Sequence, residues 1–149
     1  MPSSTGLRRP IVADRTPLTL RAYRRITAAA TPLAPFLLAQ RLKRGKEHPQ
    51  RMAERRGAPS LPRPEGPLIW AHGASVGEML AVLPLIERLH ARGLAVLLTS
   101  GTVTSARLAE TRLSGGVIHQ FAPVDAPQFI TRFLDHWRPN LGLFAESDL

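Results

Sequence analysis

Hydrophobic residues in the second half of the chain form short runs separated by longer amphipathic stretches. The runs predict strands at Leu68–Ala71, Leu94–Thr99, Val117–Phe121 and Leu141–Ala145. The stretches predict helices at Glu78–Arg92, Ser105–Leu113 and Pro127–Trp137. Strands that alternate with helices of this length indicate an α/β fold with a parallel sheet and right-handed crossovers.

The loops that follow the four predicted strands are expected to meet at one edge of the sheet. Parallel strands all end on the same side, so the segments after their last residues become neighbours. These segments are His72–Gly77, Ser100–Thr104, Ala122–Asp125 and the residues from Glu146 onward. Since open α/β sheets bind ligands at this edge, the sequence predicts a cleft and a functional site there.

The loop after the first strand contains the strongest candidate for chemistry, Glu78. Two glycines before it, Gly73 and Gly77, permit a tight turn and a close approach to a ligand. Glu78 itself falls at the start of a helix, where free N–H groups and the helix dipole favour a carboxylate. Two interpretations remain open at this point. Glu78 is either a base that takes a proton from an incoming hydroxyl or a residue that only stabilises its helix.

Several classes of site are disfavoured. The glycine loop lacks the Gly-Lys-Ser/Thr of a Walker A motif, and its Gly73-x-x-x-Gly77 spacing is not that of nicotinamide-binding proteins. The chain has no cysteine, which excludes disulfides, thiolate metal sites and a cysteine nucleophile. Its five histidines are scattered without metal-ligand spacing. We therefore predict neither a metal nor another cofactor.

The loop after the second strand, Ser100-Gly101-Thr102, offers hydroxyls and backbone donors that suit a sugar or a phosphate group. A simpler explanation is a strand end followed by an N-cap for the next helix. Asp125 is expected to cap the helix that starts at Pro127. Trp137, at the end of that helix, is predicted to lie in the core.

Positive charge is concentrated in the N-terminal part of the chain. Residues 1–66 contain 14 of the 20 lysines and arginines but 4 of the 11 acidic residues, a net charge of +10. Residues 67–149 contain the other 6 basic and 7 acidic residues, a net charge of −1. This asymmetry predicts an anionic partner for the N-terminal part, such as a membrane surface, an acidic lipid or nucleic acid.

We divide the N-terminal part into three segments. Residues 1–16 are predicted to be a disordered leader, and residues 45–66 a proline-rich basic linker. Residues 17–44 are predicted to be a basic and apolar membrane-associating helix. Its uncharged run, Ile26–Gln40, is shorter than the ~20 residues that span a bilayer, and Pro32 and Pro35 are expected to kink or break it.

Basic residues on both sides of the uncharged run favour a segment that lies on an anionic leaflet over a secretory signal peptide, whose cleavage region is small and uncharged. Two alternatives are kept. One is an ordinary helix that packs on its own domain. The other is a nucleic-acid-binding arm, which is disfavoured because no aromatic residues are interleaved with the charges.

Five segments of the chain, taken in order, resemble those of the 3-deoxy-D-manno-octulosonic acid (Kdo) transferases of Gram-negative bacteria. The segments are His72–Glu78, Thr99–Thr102, His119–Asp125, His136–Pro139 and Glu146–Leu149. The basic helix and the Gly45-Lys46-Glu47 that follows it are similar as well. The resemblance covers roughly residues 20–149. It implies that residues 67–149 are a Rossmann-like acceptor domain, the N-terminal half of a GT-B glycosyltransferase.

The resemblance also implies an activity and its partners. Such enzymes transfer Kdo from CMP-Kdo to the lipid A precursor, lipid IVA, in lipopolysaccharide biosynthesis at the cytoplasmic face of the bacterial inner membrane. They need no metal and no nucleic-acid partner. Glu78 matches the family's general base, and Glu146 matches a second acidic position that stabilises the transition state. The residues expected to bind substrate are Gly73, Ser75, Gly77, Ser100, Gly101 and Thr102.

In the resembling family the chain continues after the position of Leu149 with Trp-Pro-Asn and a nucleotide-sugar domain. We therefore expect an incomplete acceptor domain that is inactive without the CMP-Kdo-binding half. The alternative is a stand-alone module, from a truncated gene, that binds anionic lipid or a membrane.

Overall fold

A computed structural model describes residues 18–113 and 115–146 of the chain. The helices are α1 (Leu18–Ala30), α2 (Ala34–Lys43), α3 (Val76–Ala91), α4 (Val103–Arg112) and α5 (Pro127–Trp137). The strands are β1 (Leu68–Gly73), β2 (Ala95–Ser100), β3 (Ile118–Phe121) and β4 (Leu141–Ala145). The predicted leader, residues 1–16, lies outside the described residues.

The four strands form one parallel sheet in the order β3-β2-β1-β4, which confirms the predicted α/β fold class. Gly73 pairs in register with Ser100 on one side and with Ala145 on the other, and Ser100 pairs with Phe121. The last residues of all four strands are therefore aligned. The segments that follow them share one edge of the sheet, which we call the strand-end edge.

Helices cover both faces of the sheet. Helices α3 and α4 pack on one face, around Ala71, Met79, Leu83, Ile86, Val96, Leu98 and Ala109. Helix α5 packs on the other face, around Leu68, Leu97, Phe133 and Trp137. Burial on both faces explains why β1 and β2 are continuous apolar runs rather than alternating patterns, whereas β4, at the edge, leaves Leu141 and Phe144 exposed. The prediction that Trp137 is a core residue is confirmed, since its side chain is 0% exposed.

The N-terminal helical segment is divided in two. A 3₁₀ turn, Thr31–Leu33, separates α1 from α2 at the position of Pro32. Helix α1 packs near the start of α5, where the Tyr23 hydroxyl donates a hydrogen bond to the Asp125 carboxylate. The N-cap of α5 is Ala126, without a side-chain hydrogen bond, so the prediction that Asp125 caps this helix is wrong. Among residues 18–113 and 115–146, no helix has the length and apolar character needed to cross a membrane.

The segment predicted to be a linker, residues 45–66, packs closely on the domain over its first half. It contains two 3₁₀ turns, Pro49–Arg51 and Glu54–Arg56. Its side chains Glu47, Glu54 and Arg55 are buried, with exposed fractions of 4%, 1% and 6%. The proline and charge content of the segment predicted a linker and did not indicate this burial. These charged side chains can be buried because each forms an ion pair with a partner inside the fold.

Candidate functional site

The turn between β1 and α3 is tight because Gly73 packs directly against the backbone of α3. A Cβ atom at Gly73 would lie 2.9 Å from the backbone nitrogen of Met79. Strand β1 can therefore turn directly into α3 only if this position has no side chain. As a result β1 continues to Gly73 and α3 begins at Val76, so that the predicted six-residue loop is reduced to Ala74 and Ser75.

Glu78 and Ser75 form a capping box at the start of α3. The Ser75 Oγ accepts a hydrogen bond from the Glu78 amide at 3.2 Å. In return, Oε2 of Glu78 accepts hydrogen bonds from the Ala74 amide at 2.7 Å and from the Ser75 amide at 3.2 Å. The helix-stabilising role of Glu78 is thus present in the structure.

The capping box also fixes a carboxylate at the strand-end edge, where the sequence predicts a functional site. Both backbone hydrogen bonds of Glu78 use the same oxygen, Oε2. A general base must be held in place to accept a proton from a substrate, and these two bonds hold the carboxylate. Capping and proton transfer are therefore compatible in one side chain.

The loop after β2 lies against this turn. A Cβ atom at Gly101 would lie 3.1 Å from the carbonyl oxygen of Ala74. The next residue, Thr102, is the N-cap of α4, and its Oγ1 accepts a hydrogen bond from the Ser105 amide at 3.1 Å. The simpler explanation of this segment, a strand end followed by an N-cap, is thus confirmed, while Thr102 remains exposed.

Ser100 occupies a different environment from its neighbours. Its side chain is 0% exposed, because β2 is a central strand with helices on both faces. Its Oγ lies 2.9 Å from Nε2 of His119. The Ser100 side chain could therefore contact a substrate only if this hydrogen bond opened.

His119 is a buried neutral histidine beneath the edge. Burial, with a smaller contribution from the positive charge of Arg51, lowers the pKa of His119 to about 3. Nη2 of Arg51 lies 3.0 Å from Nδ1 of His119. Since a guanidinium can only donate, Nδ1 accepts this bond, and Nε2–H is left to donate to the Ser100 oxygen. The sequence indicates His119 only as part of the His119–Asp125 motif, and the structure adds its contacts with Arg51 and Ser100.

A second histidine lies on β1 near the turn. Nδ1 of His72 is 2.9 Å from Oγ1 of Thr99, and the same hydroxyl accepts a hydrogen bond from Nε1 of Trp70 at 2.9 Å. Burial lowers the pKa of His72, although hydrogen bonding with the backbone of Thr99 and the negative charge of Glu78 oppose the shift. His72 is therefore a neutral group within the electrostatic field of Glu78.

Glu146 follows the last strand at the same edge. Because Ala145 pairs with Gly73, Glu146 emerges beside the turn that carries Glu78. Its side chain is exposed. The sheet thus brings both predicted acidic residues to adjacent strand ends, and residues 147–149 lie outside the described part.

An ion-pair cluster at this edge was missed by the sequence analysis. The Arg55 guanidinium donates to Glu47 twice, at 2.8 and 3.1 Å, and to the carbonyl oxygens of Gly101 and Ala122 at 2.6 and 2.8 Å. The available signal was the presence of isolated glutamates in an otherwise basic segment, because buried charges are normally paired. Within the described residues, no group of three or more His, Asp or Glu side chains is arranged to hold a metal ion.

Comparison with known proteins supports an evolutionary assignment. A family model described as 3-deoxy-D-manno-octulosonic-acid transferase (kdotransferase) matches residues 50–149. The chain is 42% identical over 131 residues to the probable mitochondrial 3-deoxy-D-manno-octulosonic acid transferase of Arabidopsis thaliana. It is 35% identical over 132 residues to the 3-deoxy-D-manno-octulosonic acid transferase of Rickettsia bellii, and 35% identical over 105 residues to the protein of the same name in Haemophilus influenzae.

These alignments cover most of the chain but a small part of each relative. They include 87%, 87% and 67% of the chain, and 29%, 32% and 24% of the Arabidopsis, Rickettsia and Haemophilus proteins. The chain thus spans less than a third of the length of these relatives. No solved structure matches it significantly. The family model and the relatives together show that this chain belongs to the Kdo transferase family.

Proposed function

We propose that this chain forms the acceptor half of a GT-B Kdo transferase, in which Glu78 is the general base. The complete enzyme transfers Kdo from CMP-Kdo to a hydroxyl of the lipid A precursor, lipid IVA, in lipopolysaccharide biosynthesis. One observation carries the proposal: in a member of this family, the Glu78 carboxylate is held by two backbone amides at the strand-end edge.

The chemistry assigned to Glu78 is a proton transfer. The acceptor hydroxyl oxygen forms a bond to the anomeric carbon of Kdo while the bond from that carbon to the CMP oxygen breaks. The proton of the hydroxyl passes to the Glu78 carboxylate, and CMP leaves with the bonding electron pair. A base in this role contributes roughly 10²–10⁴ to the rate.

The other candidate residues are assigned by position. Glu146, at the neighbouring strand end, stabilises the positive charge that develops on the sugar in the transition state. Backbone groups of Gly101 and the exposed hydroxyl of Thr102 contact the substrate beside the turn. The remaining candidates, which shape the turn or lie beneath it, are Gly73, Ser75, Gly77 and Ser100.

We also propose that α1 and α2 lie on the cytoplasmic face of the inner membrane. Large apolar side chains on these helices and on the 3₁₀ turn between them are exposed, among them Ile26, Leu33, Phe36 and Leu37 with exposed fractions of 68%, 60%, 70% and 52%. Lys43, Arg44 and Lys46 follow directly and are exposed as well. Apolar side chains flanked by cations favour an anionic interface. Binding to anionic liposomes that weakens as salt increases tests this orientation.

Because the chain spans less than a third of its relatives' length, the proposed transfer concerns the complete protein. Residues 1–149 by themselves are expected to transfer no Kdo. The second candidate function, a stand-alone membrane-binding module, is favoured by the same exposed apolar residues. It predicts liposome binding by a complete gene product that never transfers Kdo.

The test is a glutamine substitution in the complete protein, measured as CMP release with CMP-Kdo and lipid IVA. Glu78→Gln removes the basic oxygen but keeps a carbonyl that can accept from Ala74 and Ser75, since glutamine also forms capping boxes. We expect transfer to fall by about 10²-fold or more with the thermal unfolding midpoint preserved. The matched control is Glu87→Gln, on the exposed side of the same helix.

Normal turnover by Glu78→Gln would show that Glu78 is only a cap. A complete wild-type protein that releases no CMP under these conditions would reject the transferase proposal and leave the membrane-binding alternative.

A further inference from the structure

The buried guanidinium of Arg55 joins three separate parts of the chain at the strand-end edge. Its Nε and Nη2 donate to the two oxygens of Glu47, at 2.8 and 3.1 Å. Its Nη1 donates to the carbonyl oxygen of Ala122 at 2.8 Å, and Nη2 also donates to that of Gly101 at 2.6 Å. Arg55 is 6% exposed and Glu47 is 4% exposed. One side chain therefore connects the segment before β1 with the loops after β2 and β3.

The backbone around Arg55 reinforces this connection. The carbonyl oxygen of Arg55 accepts a hydrogen bond from the Val124 amide at 2.9 Å. The Ala122 amide in turn donates to the carbonyl oxygen of Ser100 at 2.9 Å. The loop after β3 is thus hydrogen-bonded to the last residue of β2, and the loops after β2 and β3 are both hydrogen-bonded to Arg55.

The loop held by Arg55 is in contact with the turn that carries Glu78. Gly101 approaches Ala74 so closely that a Cβ atom there would lie 3.1 Å from the Ala74 carbonyl oxygen. The Ala74 amide donates to Oε2 of Glu78 at 2.7 Å. Two residues, Gly101 and Ala74, therefore lie between the Arg55 guanidinium and the Glu78 carboxylate.

Stability alone is a weak reason for this arrangement. A buried ion pair loses most of its attraction to desolvation, and apolar residues of similar volume often stabilise a fold equally well. Apolar residues cannot bind two carbonyl oxygens and a carboxylate in fixed directions, whereas the planar guanidinium has donors arranged for this purpose.

We infer that Arg55, held by Glu47, is a positioning residue that fixes the Gly101 loop and, through Ala74, the orientation of the Glu78 carboxylate. This inference rests on the proposed function of Glu78 as the base. The segment before β1, which carries Glu47 and Arg55, would then affect catalysis although it is not one of the strand-end loops. Arg55 touches no reacting atom in this scheme.

The test compares Arg55→Lys with Arg63→Lys in the complete protein. Lysine keeps the positive charge beside Glu47 but lacks the fork that reaches both loops. Arg63 is a matched control, because its guanidinium also binds backbone carbonyls, those of Pro64, Gly66 and Trp137. These carbonyls lie at the opposite edge of the sheet, where β1 begins.

Two quantities are measured, kcat for Kdo transfer and amide hydrogen exchange. For Arg55→Lys we expect kcat to fall by about 10²-fold, the effect of a misplaced reacting group. The amides of Ala74 and Ala122 should exchange about two- to tenfold faster, while those of Leu83 and Ile86 in α3 keep their rates. Arg63→Lys should change neither kcat nor the exchange of Ala74.

Uniformly faster exchange in Arg55→Lys, with kcat falling only in proportion to the folded fraction, would overturn the inference. If Arg55→Lys does not fold, Glu47→Gln gives the same test, because its amide has one oxygen that can accept from Arg55 in place of two and the charge is lost. If the wild-type protein transfers no Kdo, the transferase proposal fails on its own. The exchange of Ala74 and Ala122 then still decides whether Arg55 positions the loops.

Discussion

The indole Nε1–H of Trp137 donates a hydrogen bond of 2.9 Å to Oε1 of Gln120 inside the apolar layer between α5 and the sheet. Both side chains are 0% exposed. The amide nitrogen of Gln120 points the other way and donates to the carbonyl oxygen of Ala58 at 3.4 Å. This single glutamine therefore ties β3 to the end of α5 and to the segment before β1, and it satisfies the polar atom of a buried tryptophan.

We expect Gln120→Leu to lower the free energy of unfolding by about 1–3 kcal/mol, because the indole N–H is left buried without an acceptor. Urea unfolding followed by tryptophan fluorescence measures the change. Gln128→Leu, on the exposed side of α5, is the control and should shift the free energy by less than about 0.5 kcal/mol. Equal stability of the two variants would show that Trp137 does not depend on Gln120.

The two glycines of the β1–α3 turn should respond differently to alanine. At Gly73 the added Cβ would lie 2.9 Å from the Met79 backbone nitrogen, so the turn must move and the protein should lose stability. At Gly77 the nearest atom is Oγ of Ser75 at 3.9 Å, which is an ordinary contact. Gly77→Ala is therefore expected to stabilise α3 by about 0.5–1 kcal/mol, since alanine is the better helix former.

Thermal unfolding of Gly73→Ala and Gly77→Ala, side by side, checks this contrast. A Gly73→Ala variant as stable as wild type would mean that the turn relaxes without cost. Loss of Kdo transfer by a Gly77→Ala protein of normal stability would instead support a substrate contact at that backbone position.

His119 makes stability depend on pH. Its pKa is lowered to about 3 by burial and by Arg51, whereas an unfolded histidine titrates near pH 6.5. Between these values the unfolded state binds a proton that the folded state does not. The contribution is therefore complete above about pH 6.5 and is lost as the pH falls, by at most about 1.4 kcal/mol per pH unit.

Urea unfolding at pH 7, 6 and 5 in wild type and His119→Gln measures this dependence. The variant should lose less stability than wild type as the pH falls. Part of the dependence of the unfolding free energy on pH should remain in the variant, because burial also lowers the pKa of His72. Below about pH 4.5 a further loss is expected from Glu47. Burial raises the pKa of Glu47, but the hydrogen bonds from Arg55 and Arg41 outweigh it and leave the pKa lowered. Identical slopes in the two proteins would contradict the assignment to His119.

The helices and strands could be predicted from the sequence, but the contacts of the charged residues between them could not. All four strands and the three helices between them were located within two residues, because apolar runs and helical periodicity are local signals. Arg55, by contrast, binds carbonyls 46 and 67 residues away. A contact between one side chain and distant backbone oxygens leaves no periodic pattern in the sequence, so it could not be predicted.

Ser100 illustrates the same limit at the candidate site. A hydroxyl at a strand end looks available for a substrate, and only the strand order reveals that β2 is central and that Ser100 is buried beside His119. Glu78 was located correctly at a helix start, and its capping bonds follow from the local Ser-x-x-Glu spacing. Local geometry was thus predictable, whereas burial required the tertiary fold.

The proposed membrane surface makes a matched prediction for two exposed leucines. Leu37 on α2 is 52% exposed and Leu85 on α3 is 45% exposed, so serine should cost the fold little at either position. Leu37 lies among the apolar and basic residues assigned to the membrane, whereas Leu85 lies outside them. Withdrawing one leucine from an interface forfeits about 1.5–3 kcal/mol, and Leu37→Ser should weaken binding to anionic liposomes about tenfold or more. Leu85→Ser should bind as wild type does.

Liposome sedimentation at two salt concentrations separates the apolar contribution to binding from the electrostatic contribution, since only the electrostatic contribution weakens with salt. Equal binding by the two variants would mean that α2 packs within the complete protein rather than on a lipid surface.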